Sequence, residues 1–105
     1  MDITYSVDDF YVKVNLCGEL DHHVAKKIIE KLETITDLYL PQELVLDLSG
    51  VSFMDSSGIA VLIGAYRRQN EAGYQIRITG VMPQPMKVLQ AAKLERFMPI
   101  EQIGS

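Results

Sequence analysis

The chain has no tryptophan and one cysteine, Cys17. A single cysteine excludes an internal disulfide. Within an apolar run it reads as a small buried hydrophobe, which fits a reducing compartment. No stretch approaches the roughly 18 consecutive apolar residues of a membrane span. No basic segment leading into an apolar run opens the chain, so no secretory signal is expected. A cytoplasmic protein that stays off the membrane is the expectation. Positive charge is also sparse: ten Lys and Arg stand against fourteen Asp and Glu, for a net charge of −4. That argues against nucleic-acid binding, which calls for a basic face. Only Lys26-Lys27 and Arg67-Arg68 are adjacent, and both read as solvated helix faces. Phosphate-binding glycine motifs are missing too. Gly50 and Gly58 are too far apart for a P-loop, and no lysine follows. No cofactor is expected.

The 105 residues fit one domain, spanning 1–105. With 48% hydrophobic residues the chain can build a core without metals or staples. A first strand is expected over 3–7, with Asp8-Asp9 as a turn. Residues 11–16 alternate, with Tyr11, Lys13 and Asn15 on one face and Val12, Val14 and Leu16 on the other. The two strands should pair as a hairpin. Asp21 is placed to N-cap a helix whose apolar stripe is Val24, Ile28, Leu32 and Ile35. A connection over 37–42 contains Pro41. Residues 44–48 form a nearly continuous apolar run, as in a buried parallel strand. Ser49-Gly50 then opens a loop reaching to Gly58. The following helix is apolar almost all round from Ile59 to Tyr66, with Gly73 as its stop. A strand over 75–79 follows, then a helix with Pro85 at its first position. A short last strand can lie over 97–100. The alternation implies an α/β fold: an N-terminal antiparallel hairpin, then parallel strands joined by right-handed crossovers, with helices covering the mixed sheet. A monomer is the default.

Two clusters carry the chemistry. In Phe53-Met54-Asp55-Ser56-Ser57-Gly58, two hydroxyls and a carboxylate sit where a buried strand hands over to a buried helix. Free N–H groups and the helix dipole there favour negative charge. A phosphate on Ser56 would add roughly −1.5 to −2 charges beside Asp55. The simpler reading makes Asp55, Ser56 and Ser57 N-capping residues, but a cap needs one such side chain and here there are three. Catalysis is poorly supported, because neither serine has the glycine two positions earlier that a nucleophile elbow requires. The second cluster, Gly18-Glu19-Leu20-Asp21-His22-His23, is a weak metal site because zinc helices space their histidines four apart. It reads more simply as a turn, an N-cap and two exposed histidines. If the strands before the two clusters are parallel neighbours, their following loops converge and Asp21 comes near Asp55 and Ser56.

These segments, with residues 44–48, Gly64-Ala65-Tyr66-Arg67 and the stretch from Met82 to Leu94, closely resemble the anti-sigma factor antagonists (anti-anti-sigma factors) of the STAS domain family. The branch most similar is the sporulation antagonists that free sigma-F. The resemblance implies a mixed sheet of roughly four or five strands packed with about three helices. It implies that Ser56 is the phosphorylated serine, that Ser57 supports the loop, and that Asp21 lies beside the site. Asp55, Ser57 and Gly58 would surround the phosphosite and help bind the partner. That partner would be an anti-sigma factor that is also a serine kinase and supplies ATP. The unphosphorylated form would bind it and release the sigma factor; the phosphorylated form would let go. A metal-dependent serine phosphatase of the PP2C type would reset the switch. The protein itself would be no enzyme. The alternative is a STAS module of a stress-signalling or transporter-associated complex. Ile59-Ala60 stands where relatives often carry Leu-Gly.

Overall fold

Strict alternation in Val12, Val14 and Leu16 turns one face of a strand toward a core and leaves Tyr11, Lys13 and Asn15 on the other. The computed structural model describes residues 1–102. Its elements are β1 (Asp2–Val7), β2 (Tyr11–Leu20), α1 (Ala25–Tyr39), β3 (Glu43–Met54), α2 (Ser56–Glu71), β4 (Gln75–Val81), α3 (Pro83–Ala91), a 3₁₀ turn (Leu94–Arg96) and β5 (Ile100–Gln102). The strands lie in the order β1-β2-β3-β4-β5. β1 is antiparallel to β2, and every later pair is parallel.

Because each crossover steps to the next strand in one direction, crossovers of one hand put all the helices on the same face. One core cluster records this. It joins Val12, Val14, Leu16, Leu44, Leu46, Leu48, Ile76 and Ile78 of the strands to Ile28, Leu32 and Ile35 of α1, Val61, Leu62 and Ala65 of α2, and Met86 and Leu89 of α3. The other sheet face carries ion pairs around a buried Val45, which stands between Lys13 and Arg77 in the register. Lys13 pairs with Asp47 at 3.5 Å, and Arg77 lies 3.6 Å from both Glu43 and Glu101. Cys17 belongs to this face and is exposed, which corrects the expectation of a buried thiol. The register explains it: Leu16 sits opposite Ile3 on the core side, so Cys17, opposite Asp2, must point outward.

Several boundaries differ from those read off the pattern. α1 starts at Ala25, with Val24 as its N-cap and no side-chain cap; the Asp21 carboxylate instead accepts the His23 N–H at 2.9 Å. Both histidines therefore lie in the turn before α1, and Asp21 shapes that turn. α1 runs on through Asp37 to Tyr39, ending at Leu40 in the left-handed conformation, φ 46°. α3 begins at Pro83, so Pro85 is its third residue. The last strand is 100–102 instead of 97–100; Phe97 closes the 3₁₀ turn and is exposed. α2 buries one side only, since Ala60 is exposed while Val61, Leu62 and Ala65 are buried. Gly73 holds φ +78° just past α2, as a helix stop requires.

The largest difference is the loop expected over 49–58. β3 continues to Met54, because β2 also runs on and pairs with it: Cys17 faces Gly50, Gly18 faces Val51, and Leu20 faces Met54. Only Asp55 separates strand from helix. The one-sided core makes a contrast measurable by urea unfolding. Leu46→Ala should cost about 2–5 kcal/mol, whereas Lys13→Ala on the polar face should cost less than about 1 kcal/mol.

Candidate functional site

The parallel pairing of β2 and β3 sends both chains out of the sheet at the same edge. Leu20 and Met54 are register partners, so the turn from Asp21 to Val24 and the start of α2 leave side by side. Asp55 joins them. Its Oδ1 accepts the Ser57 N–H at 2.8 Å, the N-cap bond of α2. Its Oδ2 accepts the His22 N–H at 3.2 Å and lies 3.6 Å from His22 Nδ1. The Asp55 C=O accepts the Gly58 N–H at 3.0 Å. Desolvation pushes the Asp55 carboxyl up, but the N–H donors of Ser57, His22 and Gly58 and the His22 imidazole outweigh it, holding the carboxyl below the usual carboxylate range.

Ser56 is the first residue of α2 and is exposed. Ser57 is half-buried, and its N–H is committed to Asp55. Gly58 is buried. A β-carbon there would meet Met54 Cγ at 2.5 Å and Leu20 Cγ at 3.2 Å. Gly58 thus shapes the site from beneath, letting α2 settle on the ends of β2 and β3. The structure therefore brings together Asp21, Asp55, Ser56, Ser57 and Gly58, and divides them into an exposed hydroxyl, two carboxylates engaged with backbone, and two supports.

Three further residues belong to this neighbourhood. His22 touches Asp55 through both backbone and ring, and its ring stacks on His23 with centroids 4.0 Å apart. Phe53, near the end of β3 and two residues before Asp55, is 41% exposed. Gln84 of α3 reaches across to the end of β3. Its Oε1 accepts the Met54 N–H at 2.8 Å, and its Nε2 donates to the Met54 C=O at 3.0 Å. β4 pairs with β3 only as far as Asp47 opposite Thr79, so the Gln84 amide stands in for the missing strand. A glutamine between two prolines gives no sequence signal for this. The wide hollow of about 530 Å³ lined by Phe10, Tyr11, Gln42 and Tyr74 lies at the opposite end of the sheet from Ser56.

The fold and site define a class: a helix-on-sheet module that offers an exposed serine on a rigid strand-to-helix junction, with two carboxylates behind it. The chain belongs to the STAS domain family, whose model matches residues 3–103. It is 33% identical over 87 residues to the anti-sigma F factor antagonist of Paenibacillus polymyxa, covering 83% of this chain and 74% of that protein. It is 31% identical over 87 residues, with the same coverages, to the anti-sigma F factor antagonist of Lysinibacillus sphaericus. Among solved structures, the Bacillus cell fate determinant SpoIIAA in its phosphorylated form matches with TM-score 0.73 and 27% identity, over 94% of this chain and 90% of that one. The expected fold class is that of the family.

Two predictions follow from the geometry. Asp55 binds its proton more weakly in the folded state, so its contribution to stability is complete above the ordinary carboxylate pKa of about 4 and is lost as pH falls below it. Asp55→Asn should flatten that acid limb in urea unfolding between about pH 5 and pH 3. Gln84→Ala leaves the Met54 N–H and C=O without their partner, which should cost about 1–3 kcal/mol. It should also speed amide exchange at Met54 and Asp55 above that of the remaining β3 amides, read by hydrogen–deuterium exchange.

Proposed function

We propose that this protein is an anti-sigma factor antagonist working as a phospho-switch. It is a single STAS domain over 1–105, cytoplasmic and without catalytic activity of its own. Unphosphorylated, it binds an anti-sigma factor that is also a serine kinase, and so releases the sigma factor. The kinase, carrying its own ATP, phosphorylates Ser56 and the complex parts. A PP2C-type serine phosphatase restores the binding form. The observation that supports this best is the setting of Ser56: exposed, first in a helix, and held on a junction fixed by the Asp55 cap.

The chemistry is coherent with that setting. A hydroxyl at the first position of a helix needs no burial to be presented, and a kinase can reach it without unfolding the domain. The helix N-terminus tolerates the added anion, so the modified protein stays folded. What changes is the surface. A group of roughly two negative charges beside the Asp55 and Asp21 carboxylates turns a docking patch anionic, and like charges facing a partner there cost binding. Phe53 offers the apolar contact that a docking surface uses. The relatives named as antagonists of anti-sigma factors support the same reading.

Binding of the cognate anti-sigma kinase, measured by isothermal titration calorimetry without ATP, tests it. Ser56→Ala should bind within about threefold of wild type, while Ser56→Asp should bind at least about tenfold more weakly, a difference of roughly 1.4 kcal/mol. Equal affinities for wild type and Ser56→Asp would contradict the switch.

A further inference from the structure

We propose that His22, backed by His23, is the counter-charge for a phosphate on Ser56, so that the modified switch takes up a proton near neutral pH. This rests on Ser56 being the modified residue. The motivating geometry is the single carboxylate that touches both sides: Asp55 holds the Ser57 N–H with one oxygen and faces the His22 ring at 3.6 Å with the other. Ser56 follows Asp55 directly in the chain, next to the carboxylate that faces the imidazole.

The histidine turn is fixed in that position. The His22 N–H is bound by Asp55 and the His23 N–H by Asp21, at 3.2 Å and 2.9 Å. The His22 side chain is 68% exposed, and its ring meets the Asp55 carboxylate and the His23 ring. Packing does not explain it. The charged and titratable groups brought to His22 are Asp55 from the start of α2, and His23 and Asp21 from its own turn. Among the described residues, the ion pairs of Lys13 and Arg77 lie on the far polar face of the sheet, so His22 is the paired group that can carry positive charge at the site. Imidazole and phosphomonoester both change charge near pH 6–7. A phosphate would therefore favour the charged imidazole, and the charged imidazole would favour the phosphate dianion. The uptake is a simple protonation of the ring, with no covalent step.

The test uses the full chain with phosphoserine inserted at position 56 during translation, followed by ³¹P NMR over pH 4.5–8.5. The midpoint of the phosphate's second ionisation should lie lower in the wild type than in His22→Gln by about half a pH unit or more, with His23→Gln giving a smaller shift. Since His22 is exposed, His22→Gln should keep the wild-type amide spectrum away from the site, which confirms folding. A midpoint unchanged by both histidine substitutions would overturn the counter-charge. No kinase enters this experiment: a kinase that ignores Ser56 would sink the switch reading and leave the titration result standing, and an unmoved midpoint would do the reverse.

Discussion

The Asp55 carboxylate is the contact on which this site depends. One oxygen caps α2 and the other holds the His22 N–H of the neighbouring turn. A cap needs only the first bond. The second ties together two chain segments 33 residues apart and fixes where the exposed Ser56 stands relative to the histidines. Since the carboxyl is stabilised in its charged form by these N–H donors, the clasp is fully made at any pH where carboxylates are ordinarily ionised. In the proposed switch, a phosphate at Ser56 would land on a surface already fixed before the partner arrives, which would keep the entropy of ordering a loop out of the binding step.

The sheet makes that clasp possible. Parallel pairing of β2 with β3 carries both strands to the same edge, and their extra residues, up to Leu20 and Met54, bring the two exits into register. Below the junction the fit is close. Leu20 and Met54 are fully buried, and Gly58 is the one residue of α2 that a β-carbon would drive into both. On the side where β4 has already turned away, Gln84 supplies both halves of a strand-like pairing to Met54. The strand end that delivers Asp55 and Ser56 is therefore held by β2 on one side and by α3 on the other. Such two-sided support suits the proposed role of presenting one hydroxyl in a fixed place.

Much of this was legible in the sequence, for physical reasons. Alternation fixed the faces of β2, helical spacing fixed the buried stripe of α1, and the apolar run at 44–48 marked a central strand. The convergence of the Asp21 turn on Asp55 followed from parallel strands alone. What stayed hidden came from pairing across the chain. Residues 49–54 carry serine, glycine and an exposed phenylalanine, the composition of a loop, yet they are strand because β2 extends beside them. Asp21 resembles an N-cap, but an added turn moves the helix start to Ala25 and gives the carboxylate a different N–H. Cys17 falls on the solvent face by register, which composition does not reveal. Gln84 acts through a tertiary contact with no local signature.

The polar sheet face and the helix-covered face divide the domain into a solvated back and a buried core, and leave Ser56 exposed at the rim where β3 hands over to α2. Family membership and the exposed serine support the proposed switch, in which a partner would read this surface and a kinase would rewrite it. The most direct measurement is intact-mass spectrometry after incubation with the cognate anti-sigma kinase and magnesium-ATP. The account predicts one added phosphate, mapped to Ser56 and absent from Ser56→Ala. No added phosphate, from a kinase shown to be active on another substrate, would contradict it.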